Sequence, residues 1–160
     1  MSRHSSEVLA TVLLLTLGCA EEQDLQNPYH GLRAELVGCY ALFVAGRPLD
    51  STYYGSSPQV GLDSLPLRGN LKSAAYRVLR RLDARGRQVD APEKTFTSWA
   101  VDSLTGTVEL SFHNGFSGAV LTLRPAGHRD TLEGRIVNNW DFGPGVSDRA
   151  KARAVRVPCP

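Results

Sequence analysis

From Leu36 onward, apolar side chains recur at every second position in short runs separated by turn residues, and no long segment repeats at the helical period. A period of two sends alternate side chains to opposite faces, the pattern of a half-buried β-strand. Between 107 and 113, Val108, Leu110 and Phe112 alternate with Thr107, Glu109 and Ser111, and Asn114-Gly115 then precedes a second run over 117–124. Both residues of an Asn-Gly pair tolerate positive φ, so this arrangement predicts a tight hairpin. Further runs cover 95–102, with Phe96, Trp99 and Val101, and 74–82, which ends at Ala84-Arg85-Gly86. A run over 131–138 follows a turn over 126–130, and runs at 37–45, 65–71 and 150–157 bring the predicted strands to eight. Residues 46–64 carry Gly, Ser and Pro together with Tyr53 and Tyr54 and read as one long loop. Connections of that length are either functional or surface insertions.

The N-terminus follows a different rule. Arg3 and His4 precede an uncharged run over 8–17, which stops at Gly18-Cys19-Ala20 before the acidic Glu21, Glu22 and Asp24. A basic start, a short apolar stretch and a small-residue end make a secretory signal peptide, whereas a membrane-spanning helix needs about 20 apolar residues. Leu17-Gly18-Cys19-Ala20 resembles the lipobox of bacterial lipoproteins. That resemblance implies a signal peptide over 1–18 and lipidation of Cys19 as the first mature residue, so that a membrane is the partner of the lipid anchor. Ala20, with no Asp after the cysteine, resembles the pattern that sends lipoproteins to an outer membrane or the periplasmic face. Cleavage after Ala20, giving a soluble periplasmic or secreted product, is the alternative. Residues 19–35 show neither period, contain Pro28 and Gly31, and read as a tether; 36–160 form the domain.

Either cleavage removes Cys19 from the thiol pool and leaves Cys39 and Cys159 in an oxidising compartment. An even pair there, with no Cys-x-x-Cys, predicts a disulfide in preference to a metal site. Eight antiparallel strands in series pack either as an up-and-down barrel or as a two-sheet sandwich. A bond between Cys39 on the first strand and Cys159 after the last makes those strands neighbours and favours the closed, all-β barrel. The last strand departs from simple alternation: Ala152 and Ala154 share one parity, Val155 and Val157 the other, and a bulge near Ala154 would reconcile them.

The opening strand reads Leu36-Val37-Gly38-Cys39-Tyr40-Ala41-Leu42. It resembles the Gly-x-Trp start of lipocalins and lipocalin-like bacterial domains, with Tyr40 where those carry Trp. The resemblance implies an eight-stranded barrel that often encloses an apolar ligand, with Arg156 as the last-strand base that packs across the opening aromatic. Gly38, Tyr40 and Arg156 are thus the expected barrel-closing residues. Tyr40, Trp99 and Phe112 inside, with Tyr53 and Tyr54 on the long loop over one mouth, are the candidate ligand-binding residues for an apolar small molecule or lipid. A second aromatic rim is expected at Trp140 and Phe142.

Composition narrows the function further. With 42 % apolar and 21 % charged residues and a net charge of +2, the chain is neither disordered nor a coiled coil. His30, His113 and His128 lie far apart, so local spacing supports no metal site and no cofactor motif occurs. Gly115-Phe116-Ser117-Gly118 follows a hairpin turn and is no nucleophile elbow, which leaves an enzyme without a motif. Arg68, Lys72, Arg77, Arg80, Arg81, Arg85 and Arg87 face only Asp83 in a basic stretch suited to anionic headgroups or envelope glycans. Nucleic acid is not expected as a partner of an exported, nearly neutral chain. The expectation is a non-catalytic, envelope-anchored, lipocalin-like barrel that carries an apolar small molecule or acyl chain. Its alternative is a structural or protein-interaction lipoprotein with a fully packed barrel.

Overall fold

The computed structural model describes residues 29, 31–49, 56–67, 75–90, 95–114, 117–140 and 149–160. Among the described residues, nine strands follow one short helix, α1 (Leu32–Leu36): β1 (Gly38–Val44), β2 (Arg47–Pro48), β3 (Gln59–Pro66), β4 (Arg77–Leu82), β5 (Phe96–Asp102), β6 (Thr107–His113), β7 (Ser117–Ala126), β8 (His128–Trp140) and β9 (Arg149–Val157). Each strand of the series β1, β3, β4, β5, β6, β7, β8, β9 pairs with the next, and β9 pairs back on β1. The result is an eight-stranded antiparallel barrel, with β2 folded onto the free stretch of β1 at Phe43 and Val44. Closure leaves no edge strand in the series, which is how an all-β chain of this size satisfies its backbone donors without a second sheet.

The register explains which parity is interior. Across β9, β1 and β3, Arg156 faces Tyr40 and Tyr40 faces Val60; one level along, Ala154 stands opposite Leu42. Across β5, β6 and β7, Trp99 pairs with Leu110 and Leu110 with Leu121, while Val101 pairs with Val108 and Val108 with Leu123. All of these except Arg156 are buried. The small Ala152 and Ala154 face inward because their neighbours on that level, Val44, Leu42 and Leu132, already fill the space. The pairings of β9 run without a break from Thr131–Val155 to Val137–Arg149 and from Cys39–Val157 to Val44–Ala152. The bulge expected near Ala154 is therefore absent; the valines of β9 simply lie on the outer wall.

Three further expectations need correction. The second long strand is 59–66, earlier than the expected 65–71, and takes up the end of what reads as a loop over 46–64. Val60 and Leu62 alternate with Gln59, Gly61 and Asp63, but Ser64 and Leu65 reverse the parity, and that hides the strand in the sequence. The last part of the range read as a tether, 32–35, belongs instead to α1, whose Leu32 and Leu36, four residues apart, are buried against the barrel, and residues 19–28 lie outside the described residues. The turn expected over 126–130 tightens to Gly127, with φ +60°, between Ala126 and His128. On β8, a Cβ at Gly134 would collide with the carbonyl oxygen of Thr122, so glycine lets β8 lie close on β7.

The sulfurs of Cys39 and Cys159 are bonded, with a Cα–Cα separation of 5.2 Å. The bridge lies on the outer wall and spans a sequence separation of 120 residues. A loop that long confines the unfolded chain strongly, by about 5 kcal/mol on the chain-entropy estimate. Non-reducing peptide mapping should recover the two cysteine peptides joined, and reduction should lower the thermal midpoint by many degrees. An unchanged midpoint would remove the bridge from the account of stability.

Candidate functional site

The barrel has two chemically distinct ends. The helix end carries α1, the β5–β6 and β7–β8 turns, the β3–β4 connection and the start of β1; the β2–β3, β4–β5, β6–β7 and β8–β9 connections leave from the far end.

At the helix end, Gly38, Tyr40 and Arg156 form one contact. Gly38 has φ +149°, a region that L side chains rarely adopt, and a Cβ there would lie 2.7 Å from Arg156 Nη1. The missing side chain lets the guanidinium settle over the Tyr40 ring, 5.1 Å from its centroid. Arg156 Nη2 donates to Tyr40 Oη at 2.8 Å and to the Glu35 carbonyl, and Nη1 donates to the Val37 carbonyl at 3.2 Å. One cation thus receives the C-terminal end of α1 and the first strand together, in an arrangement where charge-assisted bonds and the ring face add. Asp130 Oδ1 lies 3.2 Å from Arg156 Nε but out of line for a hydrogen bond, so this exposed carboxylate acts as a nearby counter-charge. Burial raises the Tyr40 hydroxyl above its ordinary value of 10.0, against the opposing pull of Arg156.

Between the ends, the inward side chains among the described residues are buried against one another. Tyr40, Trp99 and Phe112 are each 0 % exposed, as are Leu42, Leu110, Leu121 and Leu123, and they belong to one continuous cluster. A side chain with no accessible surface borders no space wide enough for water. The indole N–H of Trp99 donates to the Asp63 carbonyl at 3.0 Å, which satisfies its only polar atom. Tyr40, Trp99 and Phe112 are therefore brought together, as core. Tyr53, Tyr54, Phe142 and Cys19 lie outside the described residues, and of Trp140 only the backbone, in β8, is described.

At the far end, Arg81 was hidden among its neighbours in the sequence. In 77–82 both parities mix Arg with apolar residues, so alternation gives no direction. Pairing with Val60 turns Arg81 inward, where Nη1 donates to the Asp90 carbonyl at 2.8 Å and Nη2 to the Ser56 carbonyl at 3.2 Å. It ties the two connections at that mouth together. Its buried Nε–H meets no acceptor among the described residues, and burial lowers its pKa from the ordinary arginine value. The basic stretch is accordingly broken up: Arg80 points outward onto Asp63 at 2.9 Å, and Arg87 is held by Asp83 at 2.7 Å. Arg68 and Lys72 lie outside the described residues.

Among the recesses formed by described residues of the outer wall, one is lined by Thr107, Thr122, Arg124, Glu133 and Arg135 and another by Ala75, Tyr76 and Ala100. The polar atoms of the first are partly engaged already, since Arg124 Nε donates to Thr107 Oγ1 at 3.2 Å. Among the described residues no group of three or more His, Cys, Asp or Glu could hold a metal ion, and no helix is long and apolar enough to cross a membrane. No family model, curated protein or solved structure matches the chain, so its function is read from the site alone.

Replacing Arg156 with Met keeps the stem and removes the donors to Tyr40, Val37 and Glu35. A loss of about 2 kcal/mol is expected, measured by urea unfolding, as the part-buried acceptors on Tyr40 and Val37 lose a charged donor. Because the folded pKa of Tyr40 is raised, its contribution to stability is present below pH 10.0 and falls as pH rises toward the folded value. A Tyr40→Phe variant should lack that alkaline loss. Equal alkaline profiles for the two proteins would show that Tyr40 does not titrate in this way.

Proposed function

We propose that the chain is an exported, envelope-anchored lipoprotein without catalytic function, whose filled barrel acts as a structural or protein-interaction module through its outer surface. The observation that carries this reading is the zero exposure of Tyr40, Trp99 and Phe112, the inward aromatics that an apolar ligand would have to touch. Export is supported by the Cys39–Cys159 bridge, because disulfides persist outside the reducing cytoplasm. Anchoring is supported by Leu17-Gly18-Cys19-Ala20 alone.

Carriage of an acyl chain is the second reading, and one observation favours it. Arg81 faces the barrel axis at the far mouth with a free Nε–H, a group suited to a carboxylate headgroup. The two readings separate in native mass spectrometry of protein purified without added ligand. A filled barrel gives the mass of the mature lipoprotein alone and binds no fatty acid afterwards; a co-purifying acyl mass that is lost in Arg81→Leu replaces it with the carrier. Cys19→Ser should move the protein from the membrane fraction to the soluble extracytoplasmic fraction. Identical fractionation, with no lipid mass on the wild type, would instead support cleavage after Ala20.

A further inference from the structure

Exposed apolar side chains are few among the described residues, and two of the three large ones lie at the helix end. Leu104, on the β5–β6 turn, is 82 % exposed, and Leu65, near the end of β3, is 63 % exposed. The chain joins the same end from the N-terminal side. Tyr29 packs against the core, and its ring lies on Gly106, two residues from Leu104. The connection toward residue 19 therefore leaves beside that turn.

Chain length then sets a limit. Ten residue steps separate Cys19 from Tyr29 and, even fully extended, reach at most about 36 Å. The strand β6 from Thr107 to His113 covers about 20 Å at the usual rise per residue. A lipid on Cys19 would thus hold the helix end within two strand lengths of the bilayer. At that effective concentration a weak apolar contact is sufficient to orient the domain.

We propose that the helix end is a membrane-facing surface, with Leu104 and Leu65 resting in the bilayer interface so that the barrel stands end-on and its far mouth points away. The inference rests on the anchoring of Cys19 proposed above. The occupant is the apolar–polar boundary of the bilayer, not an anionic headgroup cluster, because the charges of the described residues at this end are mixed: Glu35, Asp102 and Asp130 stand with Arg33, Arg77, Arg156 and His128. A second copy of the chain is a poorer fit, since two leucine side chains fall far short of the ~800 Å² that each partner of a stable dimer buries.

The test places one environment-sensitive fluorophore on the lipidated full-length protein in phosphatidylcholine vesicles, at Leu104→Cys or at His113→Cys. The two positions lie on one hairpin at opposite ends of the barrel, and both are exposed. A blue-shifted emission at 104 that is quenched by nitroxide-bearing lipid, with 113 remaining water-like and unquenched, is the expected result. The fluorophore at 104 should return to water-like emission in a Cys19→Ser background free of vesicles. If the labelled protein floats with the vesicles while 104 stays water-like, the anchor stands and the orientation is overturned. If 104 is shielded in the Cys19→Ser protein in solution, the surface meets another protein and the lipid proposal is overturned. If the wild-type chain carries no lipid mass and does not float, the anchoring reading fails and this inference falls with it.

Discussion

The antiparallel register that sets Arg156 opposite Tyr40 and Ala154 opposite Leu42 joins the two ends of the chain and removes the edges of the sheet. Every other feature of the barrel depends on that closure. Without it, β1 and β9 would each present an unpaired row of backbone donors and acceptors. Two interactions outside the ladder hold the seam: the Cys39–Cys159 bond on the outer wall and the Arg156 guanidinium over Tyr40 on the inner side. They act on opposite faces of the same strand, so β1 is fixed in both position and rotation. Gly38 makes the inner one possible by leaving room for the cation.

Closure at eight strands also limits what the interior can do. A barrel of this number has room either for its own side chains or for one small ligand. Trp99, Tyr40 and Phe112 supply bulk, and the buried Ala152 and Ala154 take up little of the space beside them. With these inward side chains buried, the described surface consists of the outer wall and the two ends. Those ends differ: one carries the apolar turn tips beside the N-terminal approach, and the other carries Arg81 between two connections.

The sequence by itself determined the strand-rich class, most strand positions, the cysteine pairing and the relation between Gly38, Tyr40 and Arg156. The first three are legible because each rests on a local or countable signal, a period of two, Asn-Gly at a hairpin and two cysteines at the ends of the domain, and the last came from the resemblance of the opening strand to that of lipocalins. Glu109 and Glu133 fall on the outer face as their parity indicates. Tertiary structure alone decided the start of β3, the helix α1, the direction of Arg81 and the role of the inner aromatics. At 59–66 and 77–82 polar and apolar residues occur on both parities, so only pairing with β1 and with each other selects a face. Leu32 and Leu36 make one turn, too short for a periodic signal, and α1 is stabilised by the barrel end it covers. Whether Tyr40, Trp99 and Phe112 line a cavity or fill it depends on the summed volume of residues from many strands. Alternation records which way each side chain points; it does not record how much space remains once all of them have arrived.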